Sequence, residues 1–260
     1  MLVSRAITIT VLATIVLLTA SAQAPATSEP APKRDLTGIW QPMGGTQGIG
    51  PQAMPGDGKP GHEPPYTPYG LELLKTHHAT RGIYEVQTAA DNDPSHTCDP
   101  QGFPRENLFE LRATQFIQTP EQVIMLYTFD KVWRSIWTDG RELPKDPDPR
   151  WYGYSVGKWT SDDTFEVDTN GMDERTWVDN AGRPHTDELR THEVFHRIDR
   201  DRMELSMTID DPKVYTKPWM ALNKMQFRLL PPTTELQEML CSPSEMAKYL
   251  QRHADRGSKK

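Results

Sequence analysis

Thr191-His192-Glu193-Val194-Phe195-His196-Arg197-Ile198-Asp199-Arg200-Asp201-Arg202-Met203-Glu204-Leu205-Ser206-Met207-Thr208-Ile209 decides the fold. Met203, Leu205, Met207 and Ile209 alternate with Glu204, Ser206 and Thr208, the period of a strand with one buried face. Asp199-Arg200-Asp201-Arg202 is a polar turn between two such runs, so the whole reads as a β-hairpin. Working outward, Thr164–Thr169 alternates Phe165 and Val167 with Glu166 and Asp168, and Asp162-Asp163 turns it back onto Tyr152–Trp159. Val132–Trp137, Val123–Phe129 and Lys224–Leu230 complete the series. Thr138-Asp139-Gly140-Arg141 marks a turn after the second strand. Short strands at regular spacing predict a mainly β fold, an antiparallel meander closed or nearly closed into a barrel.

The flanks differ in character. Leu36–Trp40 is the first ordered stretch, and Gln41–Pro65 is Gly- and Pro-rich, predicting an irregular wrap. Thr67-Pro68 predicts a helix N-terminus, with a short helix to about His78 burying Leu71 and Leu74. Asp91–Pro104 is rich in turn residues. Ser242-Pro243-Ser244-Glu245 combines an N-cap, Pro at N1 and a capping-box Glu, predicting a C-terminal helix to about His253 with Met246, Tyr249 and Leu250 on its apolar face.

Residues 1–24 read as a cleavable signal: Arg5, an uncharged apolar run from Ala6 to Ala20, and the small-x-small site Ala22-Gln23-Ala24. The run is shorter than the roughly 20 residues that span a bilayer. Residues 25–34 then read as a disordered tether. Residues 35–260 read as one domain, in an irregular part (35–112), a strand meander (113–232) and a helical end (233–260). The expected location is periplasmic or secreted, with no stable membrane insertion after cleavage. In that setting Cys98 and Cys241, the two cysteines, are expected to form a disulfide. The chain carries a formal net charge of −7 with its Lys and Arg scattered, which excludes nucleic acid as the main partner.

His192-Glu193-Val194-Phe195-His196 matches H-E-x-x-H, which binds zinc on a helix. On a strand, residues four apart lie about 13 Å apart, too far to share one zinc. No metal site is therefore expected. No P-loop, G-x-G-x-x-G or G-x-S-x-G is present, and no cofactor is expected.

Strand parity puts Arg134 on a face with Val132 and Ile136, and Glu193 on a face with Leu189, Thr191 and Phe195. Both charges then point at an apolar interior and need a partner. Two readings stand: a structural Arg–Glu pair, or an anion- or carbonyl-holding Arg beside an acid/base Glu in a ligand cavity. The loop Trp177–Thr186 is the densest polar cluster. It reads either as a solvated hairpin turn or as a mouth loop in which His185 moves a proton and Asp179 sets its tautomer. The candidate site is thus Glu193, His185 and Asp179 for proton transfer, with Arg134, Trp177 and Tyr152 for substrate binding.

Gly38-Ile39-Trp40 resembles the G-x-W of lipocalin-like barrels. Leu36–Trp40, Cys98–Arg105, Thr138–Arg141, Trp151–Trp159 with its hairpin to Thr169, Trp177–Leu189 and Ile209–Trp219 resemble a large group of uncharacterised exported bacterial β-rich proteins, common in acidobacteria and proteobacteria. That resemblance implies an exported β-rich domain and supplies no mechanism. The function expected is binding of a small, partly apolar molecule, with acid–base turnover of lyase, isomerase or hydrolase type as an option. The alternatives are a non-catalytic periplasmic carrier and, third, a zinc-dependent hydrolase.

Overall fold

The computed structural model describes residues 29–43, 53–109 and 111–257. The stretch read as a signal, residues 1–24, lies outside them. The strands are β1 (Gly38–Pro42), β2 (Thr114–Gln118), β3 (Gln122–Tyr127), β4 (Trp133–Trp137), β5 (Tyr154–Trp159), β6 (Thr164–Asn170), β7 (Arg190–Arg197), β8 (Arg202–Asp210) and β9 (Trp219–Leu229). They form one closed barrel in sequence order, sealed by antiparallel β1–β9 pairing of Trp40 with Leu229. The fold is mainly β, as the alternation requires.

The meander departs from antiparallel order at one junction: β4 and β5 run parallel, through Ile136↔Ser155 and Trp137↔Val156. The chain between them, from Thr138 to Gly153, crosses over rather than turning tightly. Alternation fixes which face a residue takes but carries no information on strand direction.

Each tight turn has its chemistry. Asp130 and Lys131 both hold φ of +54° between β3 and β4, the geometry of a two-residue primed turn. The Asp199 carboxylate accepts from Asp201 N at 2.9 Å and from Arg202 Nε at 2.6 Å between β7 and β8. Register slips between Leu205 and Thr208 put a bulge opposite β9, where Lys224 has φ of +55°. That bulge hides the first half of β9 from a period-two reading.

Among the described residues three α-helices sit outside the strand order: α1 (Pro68–Leu74), α2 (Arg105–Leu108) and α3 (Pro243–Gly257). Thr67 Oγ1 caps α1 by accepting from Gly70 N at 2.9 Å. Leu74 is buried as expected, but Leu71 is exposed. Gly70 takes the packed face instead, where a Cβ would lie 2.3 Å from the Val214 carbonyl oxygen. On α3, Met246 and Leu250 are half-buried while Tyr249 is exposed. The Cys98–Cys241 disulfide joins the chain before α3 to the 3₁₀ turn Pro94–Thr97. Of the stretch read as a tether, Arg34 N donates to the Asp162 carbonyl at 2.6 Å, and the Glu29 carbonyl accepts from Arg200 N at 2.9 Å.

The barrel interior is layered. At one end Arg197 lies over the Trp40 ring at 4.6 Å and donates to the carbonyls of Asp35 (2.6 Å), Arg200 (2.5 Å) and Asp199 (3.3 Å). This floor gives the Gly38-Ile39-Trp40 motif its structural role. Phe116, Phe165 and Phe195 pack above it, with centroids 5.7 and 6.5 Å apart. Beyond the aromatic layer the interior turns polar.

Candidate functional site

Arg134 on β4 and Glu193 on β7 meet in that polar layer, Nη2 to Oε2, at 2.5 Å. The second carboxylate oxygen accepts from Asn107 Nδ2 at 2.9 Å. Arg134 Nε donates to Ser155 Oγ at 2.9 Å, and Nη2 also donates to Thr169 Oγ1 at 2.7 Å. The two hydroxyls stand 2.9 Å apart. The guanidinium lies 3.7 Å from the centre of the Phe103 ring. Arg134 is 2% exposed and Glu193 0%, so neither charge is screened by water. Burial alone would lower the Arg134 pKa, but Glu193 and Tyr127 outweigh it and hold the guanidinium firmly charged.

The cluster also has open valences. Asn107 Oδ1, Thr191 Oγ1, Arg134 Nη1 and the Tyr152 hydroxyl are buried and have no hydrogen-bond partner among the described residues. Thr191 faces Thr169 directly across the β6–β7 ladder. Buried polar atoms of this kind cost about 1–3 kcal/mol each unless something meets them. Tyr152 stacks on Tyr127 at 6.3 Å, and burial, with the nearby Glu106 carboxylate, pushes its phenol well above the usual range. A hollow of about 390 Å³ lies on the outer side of the β6–β7 ladder, walled by Arg141, Lys158, Asp168 and Arg190, with the buried Thr169 and Thr191 at its base.

Helix α2 carries Asn107 into the barrel. All its residues are buried, and it closes the polar end as a plug. Its Arg105 turns the other way, pairing with Asp93 and lying between the Phe109 and Trp177 rings at 5.3 and 5.5 Å.

The remaining expected site residues lie in a different place and in different roles. His185 is 2% exposed: its Nδ1 donates to the Thr186 carbonyl at 3.1 Å, and Nε2 meets Thr176 Oγ1 at 2.8 Å. Burial lowers its pKa, leaving the ring neutral. Asp179 does not set the His185 tautomer. Its carboxylate accepts from Arg183 Nη1 at 2.6 Å and from Ala181 N at 2.9 Å. Arg183 in turn donates to the carbonyls of Pro55 (2.6 Å) and His62 (2.9 Å), so the pair pins the Gly- and Pro-rich wrap to the barrel. Trp177 stacks on His77 at 4.9 Å and is no open aromatic wall. The loop from Trp177 to Thr186 is thus a buried brace rather than a solvated turn, because backbone carbonyls of other segments converge on its polar groups. Its charged groups sit four apart, at Asp179 and Arg183, and sequence spacing does not show which partner each takes.

The His192–His196 segment is a strand whose imidazoles face outward: His192 Nδ1 meets Asp168 at 2.8 Å, and His196 lies 3.9 Å from Asp163 and Glu204. No group of three His, Cys, Asp or Glu side chains suited to a metal occurs among the described residues.

Sequence reading missed Ser155, Thr169 and Asn107. Thr169 was within reach, since it shares parity with Phe165 and Val167. Asn107 carries no such signal, because four helical residues set no period. No protein-family model, curated protein or solved structure matches the chain. Function is therefore argued from this cluster's chemistry.

Proposed function

We propose that the chain is an exported barrel that binds a small, partly apolar molecule, whose neutral oxygen-bearing end sits at the Asn107–Thr191–Arg134 cluster. The observation that carries this is a set of unpartnered buried atoms in one cluster, Asn107 Oδ1 and Thr191 Oγ1 as acceptors and Arg134 Nη1 as a donor, beside an already neutralised ion pair. Both oxygens suit a donor such as a hydroxyl, and Thr191 can also donate to a carbonyl. Arg134 already has its counter-charge in Glu193, so a carboxylate ligand would bury an uncompensated charge. The sharper sequence expectation of an anionic group on Arg134 thus narrows to a neutral one.

Binding without turnover is favoured. Both Glu193 oxygens accept hydrogen bonds within the protein, which ties this carboxylate to Arg134 and Asn107. His185 shares no contact with Glu193. Periplasmic or secreted residence rests on the N-terminal signal reading. It accords with the disulfide, and no described helix is long and apolar enough to cross a membrane.

Native mass spectrometry and thermal shift against medium-chain alcohols and ketones, with carboxylates of equal length, test the reading. The neutral compounds should stabilise the protein, and Asn107→Ala with Thr191→Val should abolish that shift. Stabilisation by carboxylates alone, or an unchanged shift in the variants, would overturn it.

A further inference from the structure

The outer surface of the barrel is uneven. On β6, β7 and β8 it carries Glu166, Asp168, His192, His196 and Glu204, with Val194 the apolar residue among them. On β1, β2 and β3 the outward positions include Ile39, Ile117 and Leu126. The chain leaving β9 runs outside this apolar face. Leu230 N donates to the Ile39 carbonyl at 2.8 Å, and further along Met239 bridges Phe129 and Cys241 N donates to Asp130 at 2.9 Å. The disulfide to Cys98 then fixes the end of this strap. Between strap and barrel lies a groove of about 1190 Å³ with Ile39, Ile117, Leu126 and Leu236 in its walls.

The charges on the groove walls balance. Lys131 and Arg200 stand against Asp201 and Glu235, and Arg200 is itself joined to Glu29 and Asp201. The surface therefore offers no net attraction to an ion, while its volume exceeds that of many small-molecule sites. We propose that this groove binds an elongated neutral apolar molecule, of the long-chain alcohol or ester class, on the outside of the barrel. The strap is its second wall and the disulfide holds that wall in place. This site is separate from the polar cluster and does not rest on it.

The test uses the full exported protein and N-phenyl-1-naphthylamine, a neutral apolar fluorophore. The probe should brighten on binding. Dodecanol should displace it at concentrations roughly tenfold lower than dodecanoate, because a carboxylate in an apolar, charge-balanced groove loses its hydration. Ile117→Glu should weaken probe binding about tenfold or more for the same reason, while Asn107→Ala leaves it unchanged. Replacing both Cys98 and Cys241 with Ser should weaken it too, by freeing the wall. Competition on the unaltered protein keeps the test decisive if a variant misfolds. No brightening, equal displacement by dodecanoate, or loss of binding in Asn107→Ala alone would overturn the proposal. So would a dimer in light scattering that Ile117→Glu dissociates, since the face would then be an interface between copies.

Discussion

Removing Glu193 should unfold this barrel more effectively than removing any surface carboxylate. In Glu193→Leu, Arg134 keeps its charge at 2% exposure and loses its 2.5 Å partner, and Asn107 Nδ2 loses its acceptor. Breaking a buried pair by deleting one partner costs about 3–5 kcal/mol. Arg134→Met should cost a similar amount, because it leaves a carboxylate buried and removes the donors to Ser155 Oγ and Thr169 Oγ1, which keep only each other. The double variant removes both charges together. Its cost should fall short of the two single costs combined by at least about 2 kcal/mol, the coupling expected of contacting residues in one network. Urea unfolding followed by circular dichroism measures this, with each single variant lowering the midpoint by roughly 1–2 M at an m-value near 2–3 kcal/mol/M. Added salt should change the coupling little, since a water-excluded pair is weakly screened. Additive costs, within about 0.5 kcal/mol, would refute the view that the two charges act as one unit.

Other outcomes follow from separate contacts. Loss of the Cys98–Cys241 bridge, across a sequence separation of 143, should cost up to about 5 kcal/mol by the loop-entropy argument. Hydrogen exchange should show the first loss of protection in the strap and α3, and a loss that begins in β6–β8 would contradict this. Gly157→Ala would place a Cβ 2.4 Å from Phe165 Cζ and 2.8 Å from Ile136 Cγ2, so overpacking should destabilise the barrel by about 1–3 kcal/mol in the same urea assay. Burial holds His77 and His185 below the ordinary imidazole value, so the unfolded chain binds protons that the folded one refuses. Stability from these rings is unaffected above about pH 6.5 and falls as pH drops below it. Thermal midpoints across that range should slope less steeply in His185→Gln, and an identical slope would refute the assignment.

The strand pattern was legible where the barrel is most regular. β6, β7 and β8 alternate cleanly because one face meets an aromatic and methionine core and the other meets water. β2 escaped notice because Thr114-Gln115-Phe116-Ile117-Gln118 is short and puts the apolar Ile117 outward, exposed in the groove beside the strap, which breaks the alternation. The parallel β4–β5 junction left no trace, since direction is a property of the crossover and not of the strand. Facing told that Arg134 and Glu193 point inward, and the need of buried charges for partners told that they should pair. Nothing in the order of residues told that Asp179 belongs to Arg183 and the wrap rather than to His185. That choice was made by carbonyls of Pro55 and His62, far away in sequence.

Arg197 and Arg134, buried at opposite ends of the barrel interior, are held in different ways, which bears on the ligand binding proposed above. Arg197 is held by three backbone carbonyls, whose positions are fixed by the segments around the barrel floor. Those acceptors cannot rotate away, so the floor has one arrangement. Arg134 is held by side chains on β5, β6 and β7, and its partner Glu193 depends on Asn107 from a four-residue helix. Side-chain hydroxyls and amides re-pair by rotation about χ angles, at far less cost than moving a strand. In the proposed site a ligand hydroxyl that donates to Asn107 Oδ1 therefore leaves both the Asn107–Glu193 bond and the ion pair in place. Re-pairing at the floor would require the chain between Asp199 and Arg200 to refold. Side-chain rearrangement is therefore easiest at the end that α2 plugs, where the unpartnered Asn107 Oδ1 and Thr191 Oγ1 lie.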